Sequence, residues 1–244
     1  MKLKNLFFLV LFSVLATSCV FTEEINVNRN GSGNYSFKID MSEMMKSMGE
    51  LSPKDSLATP EKLDTIIYFK DILEERKDSI KQLTKEEQEL LYSLEEFKIR
   101  MNMDEETNKM IMDFNLDFEN LQELADMEKK VSKIQALNDK KQEESIPSKA
   151  DVTYEMNGNT FHRKVTLKKL SEEEEKVFNN SIEQSSSFLE GSLYKVIYHF
   201  ENEIKKVSFE GAQISPNKRT LTIEIPMDSV LKNPRLLDFE VLLK

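Results

Sequence analysis

Every second residue is apolar on both sides of a short polar segment, residues 104–108. The apolar positions of the two arms are Phe97, Ile99, Met101 and Met103, then Met110, Met112, Phe114, Leu116 and Phe118. Because successive side chains of a β-strand point to opposite faces, this period of two puts these nine side chains on one face of the hairpin. The segment therefore predicts an antiparallel hairpin with one buried and one wet face.

Shorter stretches of the same alternation recur along the chain and predict further strands. They lie at residues 25–41, around an Asn-Gly turn, and at residues 152–167, 194–200, 207–209, 221–225 and 239–243. Apolar spacing and capping signals predict helices at residues 42–48, 60–83, 84–94, 120–137 and 171–189. Thr84 with Glu87 and Ser171 with Glu174 have the spacing of capping boxes. Hairpins predominate and no βαβ alternation is evident. The pattern predicts an α+β fold, an antiparallel sheet built from hairpins with helices packed on it.

The first 18 residues predict a cleaved export signal. Lys2 and Lys4 precede an apolar run at residues 6–12, which is too short to span a bilayer as a retained helix, since that needs about 20 residues. The segment ends in Leu15, Ala16, Thr17, Ser18 and Cys19, which resembles a lipobox. We expect signal peptidase II to recognise Leu15 to Ser18, and Cys19 to become the lipidated first residue.

The rest of the chain, residues 19–244, is predicted to form a single α+β lipoprotein domain. Residues 138–149 are polar and aperiodic, which favours a mobile surface loop, although a domain boundary there is the alternative. Cys19 is the one cysteine of the chain, so an internal disulfide is excluded. Stable anchoring takes at least two lipid chains, because a single chain binds a membrane only marginally.

Residues next to Cys19 bear on the location of the protein. Val20 stands where an Asp would resemble an inner-membrane retention signal, so we expect the outer membrane if the cell is Gram-negative. Glu23 and Glu24 resemble a surface-export signal of some bacteria, which leaves the periplasmic and surface orientations both open. The formal charge of −10 disfavours nucleic acid as a partner.

The sequence contains no recognisable catalytic or metal-binding constellation. His162 and His199 stand alone in predicted strands, without zinc-ligand spacing. Gly31-Ser32-Gly33 looks superficially like a nucleophile turn, but it joins two alternating segments and is better explained as a hairpin turn. No glycine-rich phosphate loop is present. We therefore expect no catalytic residues, metal or cofactor, and a protein that is not an enzyme.

Both ends of the domain resemble the LppM-like bacterial lipoprotein domain. Residues 25–37 are similar to the opening hairpin of that family, and residues 207–212 and 219–226 to its closing strands. The resemblance implies a sandwich-like domain with an apolar cavity able to hold lipid or glycolipid, and it supplies no catalytic residues. The predicted helical segment at residues 60–94 departs from the family.

Two functions remain open at this point. The first is a membrane-anchored scaffold that binds another envelope protein. The alternative is a lipid or hydrophobic-ligand carrier, whose cavity wall would be Phe97, Ile99, Met101, Met110, Met112 and Phe114. Such an apolar stripe more often forms ordinary core, because that face must be buried somewhere. In either case the membrane is a partner through the N-terminal lipid.

Overall fold

Twelve strands form two sheets in the described part of the chain. A computed structural model describes residues 19–51, 61–125 and 147–244. The strands are β1 (Val20–Val27), β2 (Gly33–Asp40), β3 (Lys62–Tyr68), β4 (Lys98–Asp104), β5 (Lys109–Phe118), β6 (Ala150–Asn157), β7 (Thr160–Leu167), β8 (Leu193–Phe200), β9 (Ile204–Val207), β10 (Gln213–Ile214), β11 (Thr220–Pro226) and β12 (Phe239–Leu243).

The larger sheet has eight strands in the order β10-β11-β8-β1-β2-β5-β4-β3, and the smaller has four in the order β6-β7-β12-β9. Strands β1 and β8 run parallel, and the other pairs described are antiparallel. The predicted α+β class with hairpin-built antiparallel sheet is confirmed. The parallel pair was not predicted, because it joins segments about 170 residues apart.

One hydrophobic core lies between the two sheets. Ile25 of β1 and Tyr198 of β8 are fully buried against Phe161 of β7 and Phe239 of β12. The rings of Phe161 and Tyr198 meet edge to face, with centroids 5.5 Å apart. Burying one such side chain contributes about 1.5–3 kcal/mol, so this layer holds the sheets together.

The smaller sheet covers only part of the larger one. The core cluster draws on β11, β8 and β1, whereas β3, β4 and most of β5 lie outside it. Residues directly opposite each other in the ladders share a face, so the register carries the core-facing side of β1 across β2 and β5 to β4. On β4 and β5 that face is apolar and half-buried, as at Met101 and Met112.

Seven α-helices within the described residues connect these strands. They are α1 (Ser42–Leu51), α2 (Phe69–Glu75), α3 (Lys77–Ile80), α4 (Lys85–Tyr92), α5 (Glu172–Gln184), α6 (Ser186–Leu189) and α7 (Met227–Lys232), with residues 121–125 also helical and a short 3-10 helix at Pro234–Leu237. The capping boxes predicted at Thr84 and Ser171 are both formed. None of the helices in this part of the chain is long and apolar enough to cross a membrane.

The helix predicted from Pro60 is wrong over residues 62–68, which form β3. Ile66 and Phe69 have helical spacing, but Thr65, Ile66, Ile67 and Tyr68 are β-branched or aromatic, and pairing with β4 selects the strand. Residues 69–75 then turn into α2. The strand predicted at residues 207–209 lies slightly earlier, as β9.

Several predictions fall outside the described residues. These are the export signal at residues 1–18 with Leu15, Ala16, Thr17 and Ser18, the predicted helix beyond residue 125, and residues 138–146 of the predicted loop.

Candidate functional site

A buried ion pair joins the two sheets near the start of β1. Glu23 of β1 is 1% exposed, and Arg163 of β7 is 3% exposed. The Arg163 guanidinium donates from Nη2 to Glu23 Oε2 at 2.9 Å and from Nε to Oε1 at 3.1 Å, a bidentate arrangement. Its Nη1 donates to the carbonyl of Leu237 at 3.0 Å. Each guanidinium nitrogen therefore has an acceptor.

Three tyrosine hydroxyls complete the surroundings of the Glu23 carboxylate. Tyr154 of β6 donates to Oε1 at 3.2 Å, Tyr194 of β8 donates to Oε2, and Tyr198 of β8 donates to Oε1. With Arg163, these residues place five donor groups on one carboxylate. Within the described residues, every buried side-chain nitrogen and oxygen has a hydrogen-bond partner.

The electrostatics of this cluster keep Glu23 ionised. Burial by itself raises the pKa of the Glu23 carboxyl, but the charge of Arg163 and the hydrogen bonds from Arg163, Tyr194 and Tyr198 outweigh it, so the pKa lies below its ordinary value. Burial, and then the charge of Glu23, raise the pKa of the Tyr194 and Tyr198 hydroxyls well above their ordinary value. Glu23 therefore stays charged and joins the large sheet to Arg163 of the small sheet.

An apolar groove lies beside this cluster, between α5, α6 and α7. Its volume is about 600 Å³. Its apolar wall comprises Phe178, Ile182, Leu189 and Leu231, and polar and charged residues that include Lys149, Glu190, Asp228 and Lys232 also line it. The groove thus combines an apolar lining with charged groups of both signs.

A second cavity of about 230 Å³ adjoins the groove and leads toward the ion pair. The two share Lys149, Phe178 and Leu231 as wall residues. The smaller cavity is also lined by Val152, Val165, Tyr194, Arg163 and Leu237. The Lys149 ammonium lies 4.1 Å from the centre of the Phe178 ring. The smaller cavity therefore reaches the side of the cluster formed by Arg163 and Tyr194.

The predicted cavity wall lies elsewhere in the fold. Ile99 and Met101 are on β4, Met110, Met112 and Phe114 are on β5, and the register brings all five onto the core-facing side of the large sheet. Phe97, just before β4, forms a small cluster with Leu94 and Leu116, and Phe114 packs against this cluster. None of the six lines the groove or its adjoining cavity. Their role as a ligand wall stays a prediction.

Cys19 immediately precedes β1. Its carbonyl accepts from the backbone N–H of Leu193 at 3.0 Å, and its side chain is 3% exposed. Burial raises the pKa of its thiol, and the nearby charge of Asp40 adds to that effect. Strand alternation places Cys19, Phe21 and Glu23 on one face of the sheet. Lipidation of Cys19 stays a prediction.

The two histidines have ordinary polar partners. His162 Nε2 lies 3.0 Å from Asp238 Oδ1, and His199 lies 3.0 Å from both Glu24 and Thr220. Across residues 19–51, 61–125 and 147–244, no group of three or more His, Cys, Asp or Glu residues is placed to hold a metal ion.

Sequence reasoning missed the ion pair and the groove. In the sequence, Glu23 stands out only as part of a surface-export signal, and Arg163 only as a strand residue. A usable signal was present, because each charge occupies a core-facing position between apolar residues: Phe21, Glu23 and Ile25 on β1, and Phe161, Arg163 and Val165 on β7. The groove had no comparable signal, since its walls come from separate helices.

No family model matches this chain, and no curated protein matches it. Among solved structures it is similar to the NMR structure of the folded domain of Mycobacterium tuberculosis LppM, with 6% sequence identity and a TM-score of 0.39, over 93% of this chain and 89% of that one. At this identity the similarity assigns no role to any residue. The resemblance to the LppM-like family in sequence stays a prediction.

Proposed function

We propose that this chain is a lipid-anchored, non-enzymatic protein of the cell envelope whose domain binds an apolar chain in the groove between α5 and α7. The groove is the observation that carries the proposal. A scaffold with a filled core would need no such cavity. Its volume of about 600 Å³ is within the range of roughly 300–1,000 Å³ common for small-molecule sites.

The chemistry of the lining favours an amphiphile with an apolar tail. Phe178, Ile182 and Leu231 offer apolar contact along the groove. Lys149 offers a cationic group beside it, whereas the Lys232 ammonium is paired with Asp228 at 3.0 Å. At the inner end, Arg163 and Tyr194 already donate hydrogen bonds to Glu23, so their polar groups are satisfied without a ligand. The tail would therefore gain affinity from apolar burial, and the charged residues would meet the polar head.

The anchor is argued from the sequence. A lone cysteine at the end of a lipobox-like segment, after a short apolar export signal, is the pattern that leads to acylation. Lipid then has to hold the protein at the outer membrane, because a chain of net charge −10 is repelled by anionic headgroups.

The groove is tested with cis-parinaric acid, a fluorescent fatty acid, added to the purified lipidated protein in detergent micelles. We expect saturable binding that weakens about tenfold in Leu231→Gln, since losing one leucine contact costs on the order of 1.4 kcal/mol. The matched control is Leu236→Gln, because Leu236 is exposed and does not line the groove. Equal binding by both variants and the parent would contradict the proposal.

Protein scaffolding is a second candidate, favoured by the half-exposed apolar face of β4 and β5. Methionines such as Met101, Met103 and Met112 adapt their shape to different partners. Chemical crosslinking in intact envelopes, followed by peptide mapping, distinguishes the two candidates. A reproducible partner crosslinked to β4 or β5 supports scaffolding, and its absence leaves ligand binding as the better account.

A further inference from the structure

Strand β3 lies at one edge of the large sheet, and within the described residues it pairs with β4 alone. We propose that β3 binds the β3 strand of a second copy of this chain in an antiparallel arrangement, with Ile66 opposite Ile66 of the second copy. The result is a symmetric dimer with one continuous sheet. This inference goes beyond the proposed function, because no residue of β3 lines the groove or its adjoining cavity.

The backbone of β3 directs a row of hydrogen-bonding groups outward. In an antiparallel pair, every second residue exchanges both of its backbone bonds with the partner strand. The N–H of Phe69, directly after β3, donates to the carbonyl of Phe97, so the odd-numbered residues are the ones that bond to β4. The N–H and C=O groups that point away from β4 therefore belong to Lys62, Asp64, Ile66 and Tyr68. A further strand can pair with such a row.

Edge strands of natural proteins usually carry a feature that prevents pairing with another chain, such as a proline, a bulge or an outward-pointing charge. Strand β3 contains no proline or glycine, and its seven residues pair with β4 without a shift in register. Both of its charged side chains are paired with β4. Lys62 Nζ lies 2.9 Å from Asp104 Oδ2. The Asp64 carboxylate accepts two hydrogen bonds from Arg100, at 3.1 and 3.2 Å. These charges therefore do little to repel a further strand.

The side chains of β3 are exposed although their types favour a sheet. Residues 65–68 are all β-branched or aromatic. Among the described strands longer than two residues, β3 alone contains no buried residue. Ile66 is 50% exposed, the highest value among the large apolar side chains of the described residues, and Leu63 and Tyr68 are each 39% exposed. A partner strand would remove part of this apolar surface from water.

The charges of β3 select the register of the pair. Asp64 opposite Asp64 of the second copy would bring like charges together, which destabilises a sheet. A register shifted by one residue on each strand would place Asp64 opposite Ile66, a charge against an apolar side chain. With Ile66 opposite Ile66, the most exposed apolar side chains contact each other, and Asp64 lies opposite Tyr68. The pairs at Asp64, Ile66 and Tyr68 then exchange about six backbone bonds. Because β3 is complementary to itself in this register, a second copy is the occupant that fits its edge.

The symmetry of this dimer determines how the two copies lie. Antiparallel pairing keeps the core-facing sides of both large sheets on the same side, so the two-fold axis is perpendicular to the joined sheet. The half-exposed apolar faces of β4 and β5 of the two copies thereby become one continuous face. Strand β1 runs in the same direction as β3, so the two Cys19 residues lie at opposite ends of the joined sheet. Given the proposed anchor, two copies on one membrane would hold this sheet parallel to its surface.

The dimer is tested by sedimentation velocity of the purified lipidated protein in density-matched detergent micelles at about 1–100 µM, a range that covers moderate affinities. We expect the parent to sediment as a dimer that dissociates on dilution. Ile66→Lys and Ile66→Glu should each weaken the association about tenfold or more, since both place like charges opposite each other at the two-fold axis. An equimolar mixture of the two variants should restore the dimer. The matched control is Ile214→Lys on the edge strand β10, which is also exposed and should dimerise like the parent.

Hydrogen exchange shows whether the contact is at β3. Exchange of the amide hydrogens of a peptide spanning residues 62–68 should be slower in the parent than in Ile66→Lys, because the outward N–H groups are bonded only in the dimer. Circular dichroism of Ile66→Lys should match the parent, since this side chain is exposed. A parent that stays monomeric throughout the concentration range overturns the proposal. So do a dimer that persists in both Ile66 variants, an equimolar mixture that stays monomeric, and a dimer without protection of residues 62–68.

Discussion

At Glu23, hydrogen bonds from one arginine and three tyrosines replace the water that would hydrate an exposed carboxylate. The partners come from both sheets, with Tyr194 and Tyr198 on the large one and Tyr154 and Arg163 on the small one. Taking a charge out of water is costly, and only a complete set of partners offsets it. The charges of Glu23 and Arg163 are therefore satisfied only when the two sheets pack correctly on each other.

Replacing Glu23 by Gln should destabilise the protein by about 3–5 kcal/mol, because it leaves the buried charge of Arg163 without a counterion. Urea unfolding, followed by circular dichroism, measures the change. The matched control is Glu24→Gln, whose carboxylate meets His199 and Lys38 in a half-exposed position on the other face of β1 and should cost less than about 1 kcal/mol. Similar losses in both variants would contradict the structural role of Glu23.

The same carboxylate predicts a dependence of stability on pH. Its pKa is lower in the folded protein than in the unfolded chain, so the unfolded chain binds the proton more readily. The stabilisation is present in full above the unfolded glutamate pKa, about 4.3, and is lost as the pH falls through the depressed folded pKa. Urea unfolding at a series of acidic pH values should therefore show a steeper decline for the parent than for Glu23→Gln, and parallel declines would contradict this assignment.

At the scale of elements, the opening hairpin depends on a close approach at Gly33, the first residue of β2. A Cβ atom there would lie 1.9 Å from the carbonyl oxygen of Asn26 and 2.6 Å from the ring of Phe118. The glycine lets β2 lie between β1 and β5 at this point.

We expect Gly33→Ala to destabilise the protein by about 3 kcal/mol or more, because backbone atoms cannot move aside as a flexible side chain can. The matched comparison is Gly158→Ala. Gly158 has a φ of +60°, and a Cβ atom there would meet nothing within 4 Å. Its substitution should therefore cost only the strain of an alanine at positive φ, about 1–2 kcal/mol. Thermal unfolding of the two variants checks the order. A smaller effect at Gly33 than at Gly158 would be inconsistent with the close approach.

At the scale of the whole molecule, the two sheets differ in size, since one has eight strands and the other has four. This difference leaves part of the large sheet uncovered. The small sheet covers the part of the large sheet built from β11, β8 and β1, and β3 to β5 keep a half-exposed apolar face. The parallel pairing of β1 with β8 also joins the first strand to the segment between α6 and α7. This pairing brings Cys19 close to Glu190 and Gly191, which line the groove.

Local patterns predicted much of the fold. The hairpin at residues 97–118 and the capping boxes at Thr84 and Ser171 formed as expected, because side-chain alternation and cap hydrogen bonds act within a few residues. The segment at residues 62–68 was misassigned, since its apolar spacing fits a helix and only pairing with β4 decides for the strand. The bounds of the elements were therefore better predicted where no distant partner intervened.

By itself, the sequence determined the α+β class, most of the strands and the pattern that predicts a lipid anchor at Cys19, since all of these depend on neighbouring residues. Only the tertiary structure decided that Glu23 pairs with Arg163, 140 residues away, that β1 joins β8 in parallel, and that α5 and α7 enclose a groove beside Cys19. The physical reason is that a buried charge or a cavity wall is defined by what packs against it, and those partners come from distant parts of the chain.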